Sequence, residues 1–195
     1  MERFIALVGF SFASSVTPGP NNVLLWASGA SFGLRRTLPH VFGTAVGIGL
    51  MTLAVAAASG AILAAIPGLA TAMKVGGTLY LLWLAWQILR AGALERTDVA
   101  RPFGLISAAA FQLINPKAWI FALGAVTTFR PADLPVVAGS LLVVVTMMAV
   151  IVPSALLWAG LGDALGRLIR GPRARRVVSL ALAALLLVSV ALVWV

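Results

Sequence analysis

The chain has 195 residues, of which 62% are hydrophobic and 10% charged, with a mean hydropathy of +1.08. Soluble domains carry roughly 25% charged residues, so this composition excludes one, and the length leaves no room for a second domain beside a membrane-embedded unit. The net charge of +9 comes from basic residues standing singly or in short loops between apolar runs, a pattern that fits a membrane protein and not a nucleic-acid surface.

A helix needs about 20 apolar residues to cross the hydrocarbon core. The charge-free runs therefore predict spans near 4–28, 41–66, 69–89, 104–126, 134–161 and 176–195. The first run lacks a strongly basic leader and continues past any plausible cleavage site, so it reads as a spanning helix and not a signal peptide. The third span requires Lys74 to snorkel outward, and the fourth carries Lys117 within the membrane. With no cysteine in the chain, disulfides, iron–sulfur clusters and Cys-zinc sites are excluded.

Loop charges set the expected orientation. Ten basic residues follow spans one, three and five: Arg35, Arg36, Arg90, Arg96, Arg101, Arg167, Arg170, Arg173, Arg175 and Arg176. Arg3, Lys74 and Arg130 fall on the opposite side. The bias places the richer side in the cytoplasm and both termini outside it.

Two proline-broken motifs interrupt the apolar pattern. Thr17-Pro18-Gly19-Pro20-Asn21 lies in the first span and Asn115-Pro116-Lys117 in the fourth, with Pro18 and Pro116 separated by 98 positions. Each half thus breaks a helix at nearly the same place. Halves of three spans enter the membrane in opposite senses, so the correspondence predicts one transport domain, 1–195, built as an inverted 3+3 repeat. Repeat one covers 1–89, a linker 90–103, and repeat two 104–195.

Unpaired backbone groups cost several kcal/mol in lipid, so broken helices persist only where protein or a polar cavity satisfies them. Proline lacks an N–H and displaces the carbonyl four residues earlier. Pro18 and Pro20 are expected to free the carbonyls of Ser14 and Val16, and Pro116 that of Gln112. Gly19 permits the bend between the two prolines. Beyond each break a new helix starts with free N–H groups, which suit a carboxylate, while freed carbonyls suit an ammonium. A site offering both complements an amino-acid zwitterion. A single proline in a membrane helix is more often a simple kink; the matched pair favours a site.

Lys117 is the one ionisable residue near mid-bilayer, where a lysine costs about 2.5–3.5 kcal/mol and needs an interior partner. It contacts a substrate carboxylate, carries a proton, or donates to the carbonyls of the opposite break. Asp163, at the cytoplasmic end of span five, is the second proton-coupling candidate, although Arg167 and Arg170 favour an interfacial salt bridge. His40 reads as interfacial beside Arg35 and Arg36. Gly43, Gly47 and Gly49 in span two, and Gly160, Gly162 and Gly166 in span five, read as close helix-packing positions. Such faces fit packing within one subunit or a homo-oligomer.

A six-span chain with these motifs resembles the lysine exporter (LysE/RhtB) family of bacterial amino-acid exporters. The resemblance covers essentially the whole chain. It rests on Phe12-Ala13-Ser14-Ser15-Val16-Thr17-Pro18-Gly19-Pro20-Asn21, the glycine-rich second span, Gly76-Gly77-Thr78-Leu79-Tyr80-Leu81-Leu82-Trp83-Leu84-Ala85, and Phe111-Gln112-Leu113-Ile114-Asn115-Pro116-Lys117-Ala118. It implies a secondary carrier in the inner membrane that exports amino acids or close derivatives, driven by the proton gradient. Ser14, Thr17, Pro18, Gly19, Pro20, Asn21, Gln112, Asn115, Pro116 and Lys117 are the expected substrate-binding set. No cofactor, metal or nucleic-acid partner is implied, and no nucleophile–base constellation suggests an enzyme. The rival readings are a membrane scaffold or subunit, which would tolerate change at these positions, and a passive channel, which would not saturate.

Overall fold

The computed structural model describes residues 1–58, 102–168 and 171–194, with scattered positions between 71 and 90. Most of the third span with Lys74, and most of the 90–103 linker, lie outside the described residues. Seven continuous helices and no strand occur among the described residues: α1 (Glu2–Val16), α2 (Pro20–Phe32), α3 (Leu34–Ala57), α4 (Leu105–Ile114), α5 (Pro116–Phe129), α6 (Val136–Leu168) and α7 (Pro172–Trp194). α3 and α6 are each long and apolar enough to cross a membrane, and α4 with α5 makes a third candidate span, bent by 79°.

The breaks fall where proline dictates. A residue before proline is pushed out of the helical region by the proline ring. Thr17 (ψ 134°), Gly19 (φ −173°, ψ 174°) and Asn115 (φ −88°, ψ 105°) are all non-helical, and each of the last two precedes a proline that opens the next helix. Proline suits that opening position because its missing N–H would have no helical partner there. Between α2 and α3 the chain turns on Gly33, whose φ of +82° is strained for any residue with a Cβ.

Packing is reciprocal between the two halves of the sequence. α3 lies against α4 and α5, while α6 lies against α1 and α2, so each long helix crosses the broken pair of the other half. Small residues permit these contacts. A Cβ on Gly29 or Gly162 would sit 2.0 Å from the carbonyl oxygen of Ala159 or Trp26, and one on Gly166 would meet that of Ala30 at 2.6 Å. Gly43 and Gly47 bring α3 equally close to the carbonyls of Leu105 and Ala109 on α4. Gly49 brings α3 close to α6, where a Cβ would lie 2.9 Å from Sδ of Met148. A Cβ on Gly160 would meet nothing within 4 Å among the described residues, so Gly160 departs from the packing role expected of it. The main apolar core joins Leu7, Met51, Phe121 and Met147 from α1, α3, α5 and α6; Val23 and Trp26 of α2 pack separately with Leu182 and Leu186 of α7.

His40, expected to be interfacial, is enclosed by the protein. Its side chain is buried in α3, edge-on to Phe103 with ring centroids 5.2 Å apart, and neither ring nitrogen has a hydrogen-bond partner among the described residues. Close contact of α3 with α4, which the two glycines allow, draws this end of the helix inward.

Candidate functional site

The two breaks meet. Lys117, the second residue of α5, extends back across the first break, where its Nζ donates to the carbonyl oxygens of Thr17 at 2.6 Å and Pro18 at 3.2 Å. Asn22 closes the same break from the other side, donating through Nδ2 to the carbonyls of Ser15 at 2.7 Å and Thr17 at 2.9 Å. In the second break Trp119 braces the bend through Nε1 to the Leu113 carbonyl at 2.9 Å. The carbonyl of Gln112, expected to be free, accepts from the Asn115 N–H at 3.2 Å as the helix tightens before proline. The carbonyls of Ser15, Thr17, Pro18, Gln112 and Leu113 are thus occupied by the chain's own donors, and the ammonium held at the first break is that of Lys117.

Gly19 has a different role from the one expected. Its extended backbone is open to any residue, so the glycine is not needed for its dihedrals. It is needed for space: a Cβ there would lie 2.9 Å from Cδ of Lys117 and 3.2 Å from its Nζ. The glycine is the gap through which the lysine passes.

A chain of side-chain hydrogen bonds links the halves beneath this bridge. Asn21 Oδ1 accepts from Thr44 Oγ1 at 3.1 Å and from Gln112 Nε2 at 3.0 Å, and Gln112 Oε1 accepts from Asn115 Nδ2 at 3.2 Å. All four residues are buried. Elements from both halves, α2, α3, α4 and the α4–α5 joint, therefore share one network, and buried networks of this kind fix a unique arrangement only when their members are satisfied.

The network borders a small cavity of about 40 Å³. Of the ten expected binding residues, Ser14, Gly19, Pro20, Asn21, Gln112, Asn115 and Lys117 line it. Thr17, Pro18 and Pro116 do not: the Thr17 hydroxyl turns back to the Ala13 carbonyl, Thr17 and Pro18 serve through their backbone oxygens, and Pro116 sets the bend. The sequence reading missed Asn22, Thr44 and Ser154 as lining residues. For Ser154 a signal existed in Pro153 immediately before it; for Thr44 the glycines on either side at 43 and 47 were the clue. Ile48, Phe121 and Ile151 supply apolar walls, and no carboxylate side chain lines the cavity among the described residues.

Asp163 lies elsewhere, at the far end of α6. Arg167 grips it through two nitrogens, Nε at 2.9 Å and Nη2 at 2.7 Å. These bonds, and the Leu34 N–H at the start of α3, hold its carboxyl below the usual carboxylate range. The geometry is that of the interfacial salt bridge.

The LysE type translocator family model matches residues 12–195. The chain belongs to the LysE type translocator family. Translocators move a solute without transforming it, so membership sets the chain among transporters and not enzymes, as a multi-pass protein of the inner membrane. The chain is 32% identical over 124 residues to a cysteine/O-acetylserine efflux protein of Klebsiella pneumoniae, covering 64% of this chain and 63% of that protein. It is 28% identical over 120 residues to proteins of the same description from Escherichia coli K12 and Shigella flexneri, covering 62% of each chain. The matched segment thus spans less than two thirds of these curated relatives. No solved structure matches the chain.

Proposed function

We propose that this protein is a secondary carrier that exports small amino acids with uncharged side chains, or their close derivatives, from the cytoplasm. The observation that carries the reading is the bridge of Lys117 over the first break, beside a cavity with a polar amide and hydroxyl lining and no carboxylate. Lys117 has three N–H donors, two of them engaged by the Thr17 and Pro18 carbonyls, which leaves one for a substrate carboxylate. The starts of α2 and α5 add helix-terminal positive potential at the same place. A substrate with a cationic side chain would meet Lys117 with no acid to balance it, so lysine and arginine fit this lining poorly. The descriptions of the Klebsiella and Escherichia relatives name cysteine and O-acetylserine, small amino acids without a cationic side chain, in keeping with that argument.

Transport would proceed by alternating access in an inverted 3+3 repeat of six spans, repeat one (1–89) moving against repeat two (104–195) around the paired breaks. The reciprocal crossing of α3 and α6 over the broken helices of the opposite half supports that arrangement. Both termini would face away from the cytoplasm, as the loop charges require. Proton coupling would fall to Lys117, which lines the cavity, and not to Asp163, which is held by Arg167 away from it.

Efflux from proteoliposomes or everted vesicles, screened over labelled amino acids with and without an imposed pH gradient, tests the reading. Saturable, gradient-dependent movement of small neutral amino acids, with lysine and arginine excluded, is expected. Non-saturating flux would establish a channel, and absence of any flux from folded protein a scaffold.

A further inference from the structure

Two buried oxygens of residues that line the cavity have no partner among the described residues. Asn115 Oδ1 and Ser154 Oγ belong to residues that are each 5% exposed, both residues line the cavity, and neither atom is hydrogen-bonded to any described residue. A buried polar atom left unsatisfied is costly enough that each case calls for an explanation.

The orientation of Asn115 follows from its neighbours. Gln112 places its amide at 3.0 Å from the backbone oxygen of Ala108, which can only accept, so that end of Gln112 is the Nε2 donor. Its Oε1 then faces Asn115 at 3.2 Å and takes a proton from Nδ2. Asn115 is left with its carbonyl end as an acceptor that has no donor among the described residues, fixed by a relay that begins at the main chain.

Ser154 is set apart by comparison within its own helix. Other hydroxyls of α6 return to the carbonyl four residues earlier: Ser140 to Val136 at 2.6 Å, and Thr146 to Leu142 at 2.7 Å. This local bond is the ordinary resting place of a hydroxyl in an apolar helix. Ser154, directly after Pro153, does not make it, and its oxygen stays available on the wall opposite α4 and α5.

We infer that Asn115 Oδ1 and Ser154 Oγ receive the α-ammonium group of the substrate, while Lys117 holds its carboxylate. The inference rests on the carrier reading above and fixes the direction in which the zwitterion lies. An ammonium brings several donors and no acceptor, which is what two orphaned oxygens require. The carbonyls of Ser15, Thr17, Pro18 and Leu113 already accept from Asn22, Lys117 and Trp119, whereas the two side-chain oxygens have no donor among the described residues. Specificity for the α-amino group therefore comes from side chains on α6 and the α4–α5 joint.

The test is binding to purified, reconstituted protein, using O-acetyl-L-serine and L-serine against glyceric acid, the analogue of serine with hydroxyl in place of ammonium. Wild-type protein should bind the two amino acids and reject glyceric acid. Ser154→Ala and Asn115→Leu should each raise the Kd for the amino acids by about tenfold, the worth of one hydrogen bond to a charged group, and should narrow the gap to glyceric acid. Ser154→Ala should also melt no lower than wild type when empty, because it removes an unsatisfied hydroxyl; a purely structural serine would lower the melting temperature instead. Unchanged discrimination in both variants would overturn the ammonium site while leaving the carrier intact. Failure of the wild type to bind either amino acid would overturn the carrier reading itself, and this site with it.

Discussion

The ammonium of Lys117 lies 2.6 Å from the carbonyl oxygen of Thr17, a residue one hundred positions earlier in the chain. A charge that is expensive in the membrane thus stands where a broken helix exposes its main-chain oxygens. Each compensates the other, and the bond joins the two broken spans.

Lys117→Met should abolish export and also loosen the joint. Loss of a hydrogen bond to a charged group costs about 1.5–3 kcal/mol, so a lower melting temperature should accompany the loss of efflux in protein that still inserts. Full export by this variant would show that Lys117 has no part in transport.

Gly19→Ala separates the lysine's position from its presence. The extended backbone at Gly19 accepts alanine, and the atoms in the way are the mobile end of Lys117. The melting temperature should fall no further than in Lys117→Met, while KM for the exported amino acid should rise several-fold as the lysine is pushed off the Thr17 and Pro18 carbonyls. An unaltered KM would mean that the lysine needs no such gap.

Gly162→Ala should be severe, because the added carbon would lie 2.0 Å from the main-chain oxygen of Trp26 and neither helix can yield locally. Overpacking costs about 1–3 kcal/mol and occasionally more; here the upper end or beyond is expected. Gly160→Ala, two residues away with nothing within 4 Å, should stabilise α6 by up to about 1 kcal/mol through helix propensity. Thermal unfolding of the two variants side by side provides the comparison.

How much of this was legible beforehand differs from residue to residue. Proline and its effect on the preceding residue act locally, so the breaks at Thr17–Gly19 and Asn115 could be read from the sequence alone. The meeting of those breaks through Lys117 was among the readings the residue types allowed. What closes over the breaks was not legible, because Asn22 and Trp119 fold back over a few residues onto the carbonyls of Ser15, Thr17 and Leu113, which the prolines were not expected to free. Nor was the burial of His40, which follows from how closely Gly43 and Gly47 let α4 approach. Ser154 escaped because a serine in an apolar helix normally bonds to its own backbone, and only the contrast with Ser140 and Thr146 marks it out.

Asp163 and Arg167 give a pH dependence with a definite sign. The folded carboxyl titrates below its unfolded value, chiefly through the Arg167 hydrogen bonds, so the pair stabilises the fold at neutral pH. That contribution fades as the pH falls through the folded-state value. Asp163→Asn should therefore lower the melting temperature at pH 7 and converge with wild type in acid, while transport of amino acid retains its pH dependence. Loss of gradient-driven efflux in this variant, with the fold intact, would move proton coupling to Asp163.

A lysine already solvated by main-chain oxygens also bears on the return half of the proposed cycle. A carrier whose charged group had only cargo for company would be stranded once it released that cargo, and could reset only by loading another molecule. Here the Thr17 and Pro18 carbonyls act as a standing surrogate for the departed carboxylate. In the proposed carrier cycle the unloaded protein would then reorient by itself, so efflux would need no amino acid on the far side of the membrane.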